Sequence, residues 1–325
     1  MAVFESFGDD LDDLARRAAD PDAGIRRVAM QDLGEAVSPD STALLIAGAK
    51  DADEAVRAAA VKSLEEHEGL EAALALIGAL DDPSETVRAA AALSIADKKA
   101  SGSAPALIEV AGAGRPFARA AALRALREMQ DPAAFPVALR SLADPDASVR
   151  LEAMAVLGWL KAEEALPALI RLARDPDARI RLGLMAALVF VRSGEVGVST
   201  LIEGLKDTDW QVREQAAASI AKARLIEASD ALCALIEDPV WQVRCKAVNG
   251  LGKMKVEAAV STIGAALGSG ISNLRKEAAA ALGEIASPSS ISVLELCASD
   301  PDPDVRKLVQ WALGRCRQAA AKVAS

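Results

Sequence analysis

Two interleaved stripes of apolar residues run along this chain, and both repeat with the same period. An arginine marks the register: Arg26, Arg57, Arg88, Arg119, Arg150, Arg181, Arg213, Arg244, Arg275 and Arg306, with eight intervals of 31 residues and one of 32. With that arginine as position zero, position −1 is Val, Ile, Leu or Ala, position +3 is Ala in most copies, and position +7 is Leu or Ile from Leu33 to Leu313. Positions −1, +3, +4 and +7 share one face of a helix at 3.6 residues per turn. Upstream, position −12 is Leu or Ile in nine copies, from Leu14 to Leu294, and position −8 is apolar throughout. This second stripe predicts another helix. Between the two lies a turn such as Asp20-Pro21-Asp22, Asp144-Pro145-Asp146 or Asp300-Pro301-Asp302. The proline cannot continue the first helix, and the second Asp caps the next. Nothing reads as a strand. The predicted unit is helix A, tight turn, helix B and short link, ten times over.

One such unit cannot bury its apolar faces alone, so the copies stack, each on its neighbours. The expectation is an all-α fold, a right-handed α-solenoid of ten helix–turn–helix repeats. It forms a single array over residues 1–325, with the repeats at roughly 9–317 and short terminal caps.

The arginine itself calls for a partner. An Asp stands at position −6 in eight copies: Asp20, Asp51, Asp82, Asp144, Asp175, Asp207, Asp238 and Asp300. A ladder of Asp–Arg pairs between adjacent copies would use the bidentate fork of the guanidinium. Copies four and nine have Ala113 and Ser269 there yet keep Arg119 and Arg275, so turn carbonyls are expected to share the task.

Helix pairs of this length with an Asp-Pro-Asp-x-x-Val-Arg turn resemble the short bacterial HEAT repeats, also called PBS-lyase HEAT-like repeats. The resemblance covers nearly the whole chain. It implies a solenoid whose B helices line a concave face where ligands bind. Members of that family include scaffolds, phycobilin lyase subunits and artificial binding proteins. A related HEAT-like hydroxylase holds two irons with several His-Glu pairs; this chain has only His67-Glu68, so neither a metal nor another cofactor is expected.

Composition narrows the function. The 325 residues include one His and no Tyr, which leaves few general acid–base groups beyond carboxylates. The net charge of −10 is uneven: residues 1–162 hold 17 basic and 27 acidic groups, and residues 163–325 hold 20 of each. An acidic surface repels nucleic acid and anionic membrane, so neither is an expected partner. No apolar run approaches the length of a membrane span, and Met1–Asp13 is acidic without the apolar core of a secretion signal. Cys233, Cys245, Cys297 and Cys316 form no paired framework, which fits a cytoplasmic, monomeric protein.

The binding residues are expected where helix B faces away from the core, at positions −2, +2, +5 and +9. Position +9 reads Glu35, Glu66, Asp97, Glu128, then Trp159 and Phe190, then Lys222, Lys253, Glu284 and Arg315. Trp159, Phe190 and Phe117 are aromatic in columns that build no core, with Leu151 and Leu182 beside them at +1. Trp210 and Trp241 begin two copies of the string Trp-Gln-Val-Arg at −3. Exposed aromatics mark interfaces. The expected function is a non-catalytic scaffold that grips a partner protein with these seven residues. Its acidic groove of Glu35, Glu66, Asp97 and Glu128 would draw in a basic segment. The alternative is a chromophore- or cofactor-handling protein akin to the phycobilin lyases.

Other signals are read structurally. Trp311 serves as a cap for the last copy, and Gly112-Ala113-Gly114 and Gly268-Ser269-Gly270 as flexible joints. The extra residue near Ser193–Thr200 is a link adjustment. Asp9, Asp10, Asp12 and Asp13 suit the positive end of the first helix. Cys245 is a small packing residue, and His67 is a solvated side chain among Glu65, Glu66 and Glu68.

Overall fold

The computed structural model describes residues 6–160 and 163–324, with side chains over 11–96, 98–160 and 163–322. The chain divides into two compact units, residues 1–168 and 169–325. The first pairs α1 (Ser6–Ala18) with α2 (Ala23–Glu35), α3 (Pro39–Gly48) with α4 (Glu54–Ser63), and α5 (Leu70–Ala79) with α6 (Glu85–Asp97). It continues with α7 (Ala104–Ala113) and α8 (Pro116–Met129), then α9 (Phe135–Ser141) and α10 (Ala147–Trp159). The boundary falls within the short α11 (Leu166–Ile170), which precedes α12 (Ala178–Ala187). The second unit goes on through α13 (Val196–Gly204), α14 (Trp210–Ala223), α15 (Ser229–Ala234) and α16 (Trp241–Lys253). It ends with α17 (Val260–Ala266), α18 (Ser272–Ile285), α19 (Ile291–Leu296) and α20 (Pro303–Ala324). Among the described residues there is no strand.

The B helices form the continuous layer of each unit. In the first, α2 packs on α4, α4 on α6, α6 on α8 and α8 on α10; in the second, α12, α14, α16, α18 and α20 follow in the same way. Every Leu or Ile at position +7 is buried, as are the position +3 residues. Removing one such Leu side chain would cost about 2–5 kcal/mol. Position −1 is buried in nine copies; Ile25, in the first copy, is 40% exposed.

The arginine row is the tie between copies. Arg57 donates from Nε and Nη2 to the two carboxylate oxygens of Asp82 at 2.8 and 3.0 Å, 25 residues ahead. Its Nη1 donates backward to the carbonyls of Asp51 and Ala52, at 2.9 and 3.1 Å. The same fork joins Arg26 to Asp51, Arg119 to Asp144, Arg181 to Asp207, Arg213 to Asp238 and Arg275 to Asp300. Each of these Asp residues also accepts the amide of position −4, as Asp51 does from Asp53 at 2.8 Å. One carboxylate therefore folds its own turn and holds the preceding copy. The Arg26 hydrogen bond holds the Asp51 carboxyl below its ordinary range. Further Asp residues at −4, including Asp22, Asp53 and Asp146, cap the following helices.

Both glycine-rich strings form hydrogen-bonded turns. The Gly114 carbonyl accepts Arg119 Nη1 at 2.7 Å, and the Ser269 carbonyl accepts Arg275 Nη1 at 2.9 Å. The extra residue of copy six is absorbed in a turn where Arg192 N donates to the Glu195 carboxylate and Gly194 adopts φ 81°.

His67 departs from the sequence reading. It is fully buried, with Nδ1 2.7 Å from Thr42 Oγ1 and Nε2 3.3 Å from the Leu33 carbonyl. The Lys98 ammonium donates to the carbonyls of Glu65 and His67 at 2.8 and 2.7 Å. The imidazole thus joins copies one and two, and Lys98 adds copy three. Burial, with the Lys98 charge adding to it, pushes the His67 pKa down. The ring is held neutral by the interior and plays no part in the acidic surface.

Candidate functional site

Helix B presents two edges, set by the rise of the helix. Positions −3 to +9 span twelve residues, or about 18 Å at 1.5 Å per residue. The expected site residues divide between these edges, and between the two units.

In the first unit, Phe117 is the second residue of α8, Leu151 lies half-buried one turn into α10, and Trp159 ends α10, 56% exposed. Phe117 has a partner: the Arg88 guanidinium lies 5.8 Å from its ring centroid. Arg88 is the ladder arginine that faces Ala113 instead of Asp. It keeps the backward bonds to the Asp82 and Pro83 carbonyls, at 2.8 and 2.9 Å, and meets an aromatic face in place of a carboxylate. Phe117 is therefore partly a structural residue.

In the second unit, Phe190 closes the 3₁₀ turn after α12 and is 81% exposed. Leu182 is half-buried on α12. Trp210 and Trp241 open α14 and α16 at the opposite edge; Trp210 is half-buried and Trp241 just exposed. The sequence grouped Phe190 with these two tryptophans, and the helix length sets them far apart. Trp311 lies over Gly283, where even one added methyl group would strike its ring, and Arg315 stacks on it at 5.8 Å. That packing fits the structural role read from the sequence.

The acidic columns are less uniform than the sequence implied. Glu35 and Glu66 are exposed. Glu128 is half-buried and paired with Arg127 at 2.9 Å. Arg127 and Arg124 also share the buried Glu152. The Asp97 side chain lies outside the described residues, as do those of Asp9 and Asp10. Charge still divides by unit: residues 1–168 hold 17 basic and 29 acidic groups, and residues 169–325 hold 20 and 18.

Two features escaped the sequence reading. Leu93, at position +5 of α6, is 74% exposed, in an outward-facing column whose aromatic residues carry the stronger sequence signal. The second unit also contains a cleft of about 720 Å³ with Lys222, Arg224, Lys246, Lys253, Lys255 and Arg315 around it. Position +9 pointed to three of these. Position +11, just past the helix end, supplies Arg224 and Lys255.

The thiols offer no activated nucleophile. Burial raises the pKa of all four cysteines, Cys245 to about 11, where neighbouring Glu277 adds to the effect. Among the described residues, no group of three or more His, Cys, Asp or Glu side chains is placed to hold a metal ion. No described helix is long and apolar enough to cross a membrane.

The family model for HEAT repeats matches residues 11–96, 72–153, 137–221 and 229–314. No curated protein sequence matches the chain. Among solved structures, an engineered protein is 20% identical with a TM-score of 0.56, over 95% of this chain and 99% of its own. YibA from Escherichia coli is 18% identical with a TM-score of 0.61, over 83% and 98%. Yeast importin-β, Kap95p, is 13% identical with a TM-score of 0.61, over 96% of this chain and 51% of its own. Kap121p, solved bound to Nup53p, is 15% identical with a TM-score of 0.60, over 98% and 42%. At these identities the likeness is one of fold. With family matches spanning nearly all of its repeats, the chain belongs to the HEAT repeats family.

Proposed function

We propose that this chain is a non-catalytic scaffold that binds a partner protein on the exposed faces of its B helices. The observation that carries the reading is the exposure of large aromatics in columns that contribute nothing to the core, led by Phe190 and Trp159. Burying such side chains against a partner is the main source of binding energy at hot spots. In the first unit the anchors are Trp159 at the C-terminal edge, and Phe117 and Leu151 toward the other. In the second unit they are Phe190 at the C-terminal edge, and Trp210, Trp241 and Leu182 toward the other. Glu35 and Glu66 leave the first unit with uncompensated negative charge, which suits a basic partner segment. The neighbours solved as Kap95p with RanGDP and Kap121p with Nup53p are HEAT-fold proteins that hold other proteins, and this adds support.

The test is affinity capture from source-cell lysate with three baits of equal helicity: wild type, Trp159→Ala/Leu151→Ala, and Phe190→Ala/Trp210→Ala/Trp241→Ala. A protein retained by the wild type and lost by either variant supports the scaffold and assigns its unit. Equal recovery by all three rejects the aromatic anchors.

A further inference from the structure

We infer that the basic cleft of the second unit is a docking site for an acidic polypeptide segment, separate from the aromatic anchors. Lys222 and Lys253 lie in the last turns of α14 and α16 at position +9. Arg224 and Lys255 follow at +11, Lys246 stands on α16, and Arg315 projects from α20. The floor is small or polar: Ala218, Ala221 and Asn249. All six cations are exposed. Among the described residues, Lys246 alone of the six comes within ion-pair distance of a carboxylate, Glu214, at 3.9 Å. Among the described residues the other five have no carboxylate partner within that distance, and the one acid of the lining, Glu284, makes no ion pair.

A lysine in the last turn of a helix needs no ligand to explain it, because the negative end of the helix dipole favours it. The repeat supplies its own control. The same position +9 holds Glu35, Glu66 and Glu128 in the first unit, at the ends of equivalent helices. The helix end therefore does not dictate lysine. Position +11 gives a second control. Gln130, Arg224, Lys255 and Ala286 all adopt left-handed backbone there, with φ of 55–56°. That conformation ends the helix whichever side chain is present, so the bases at two of the four are not part of the cap. Six like charges around one cleft repel each other and weaken the fold slightly. An external anion removes that repulsion.

The lining favours carboxylates over a nucleotide or nucleic acid. No aromatic ring lines the cleft to stack a base. The helix ends at its rim are C-terminal, and phosphates are held by N-terminal amides. Flexible ammonium groups spread over neighbouring helices suit a run of Asp and Glu on an extended chain, which they meet with little demand on geometry. Glu284 is a repulsive element within the site and sets an upper limit on its affinity for acids.

The test is fluorescence anisotropy of labelled oligo-glutamate on the full chain, with oligodeoxythymidylate of equal charge as the rival probe. Helicity is checked for each variant. Oligo-glutamate is expected to bind, with an affinity that falls as salt rises. Lys222→Glu/Lys253→Glu should weaken it by at least about tenfold. Glu284→Gln should tighten it. Lys206→Glu/Lys307→Glu, the same charge change outside the cleft, should alter it by less than about twofold. The inference is overturned by no binding at low salt, by equal losses from both double variants, or by tighter binding of the oligonucleotide at the same residues. The aromatic variants should bind oligo-glutamate like wild type, so the failure of either proposal can be recognised without the other.

Discussion

The Arg88 guanidinium stacks on the Phe117 ring at 5.8 Å, at the copy junction where Ala113 replaces the usual aspartate. One arginine in the row has lost its carboxylate and gained an aromatic neighbour, while its two backward bonds to turn carbonyls stay intact. The ladder thus has two separable halves, one holding the arginine to its own turn and one joining copies.

The joining half can be measured at Arg57 and Asp82, whose side chains are only 13% and 9% exposed. Asp82→Ala leaves a largely buried guanidinium facing no charge and also removes an acceptor for the Ser84 amide. The expected loss is about 3 kcal/mol in urea unfolding of the first unit. Arg57→Lys keeps the charge but cannot form the fork, and should lose about 1–2 kcal/mol. A lysine variant as stable as wild type would show that charge alone suffices.

The opposite experiment fills an empty rung. Arg244 faces Ser269, and its buried Nε has no hydrogen-bond partner. Ser269→Asp supplies the carboxylate that the sibling copies use and retains an acceptor for the Ile271 amide, which Ser269 Oγ now takes at 3.2 Å. We expect stabilisation by about 1 kcal/mol. A lower melting temperature would show that the slot in copy nine differs in shape from the others.

His67 predicts a pH dependence. Its folded pKa lies below the ordinary 6.5, so between those two values the unfolded chain binds a proton that the folded chain refuses. Stability should fall as pH drops through about 6.5, by at most about 1.4 kcal/mol per pH unit. The ladder aspartates, with lowered pKa values, contribute their own loss only further down, as pH approaches and passes their ordinary 3.8. Unfolding free energies of the wild type and His67→Gln between pH 7.5 and 5.5 decide the matter. The wild type should slope and the variant should be flat; two parallel curves would remove His67 as the cause.

Gly283 sits under the Trp311 ring, where a methyl group has no room. Gly283→Ala gains helix propensity worth about 1 kcal/mol but should still be destabilising by about 1–3 kcal/mol through overpacking. Adding Trp311→Ala should recover part of that loss. A stabilised single variant would mean that the ring moves aside freely.

The period made most of this fold legible. A pattern repeated ten times averages away the ambiguity of any one copy, so the helix pairs, the buried +7 column and the Asp–Arg partnership could all be read from spacing. Features that occur once could not. His67 looked solvated because its sequence neighbours are Glu65, Glu66 and Glu68; its real surroundings, Leu33, Thr42 and Lys98, come from other copies. Phe190 and Trp210 stand at opposite ends of their helices, because a column gives an angle around the helix and not a height along it. The cleft of the second unit was half visible at +9 and missed at +11, where the left-handed cap turns Arg224 and Lys255 back toward it.

The fork between copies has a consequence for how such a chain can change in length. Arg26, Arg57, Arg119, Arg181, Arg213 and Arg275 each reach 25 or 26 residues forward to a carboxylate that stands at the same place in the next copy. A block of 31 residues can be duplicated or excised at many points and the new junction is born with its partners already matched. The two Trp-Gln-Val-Arg strings at 210–213 and 241–244 stand one such block of 31 residues apart. The number of copies is then a quantity that selection can adjust in whole steps, while Lys222, Phe190 or Glu35 vary independently on the faces those copies carry.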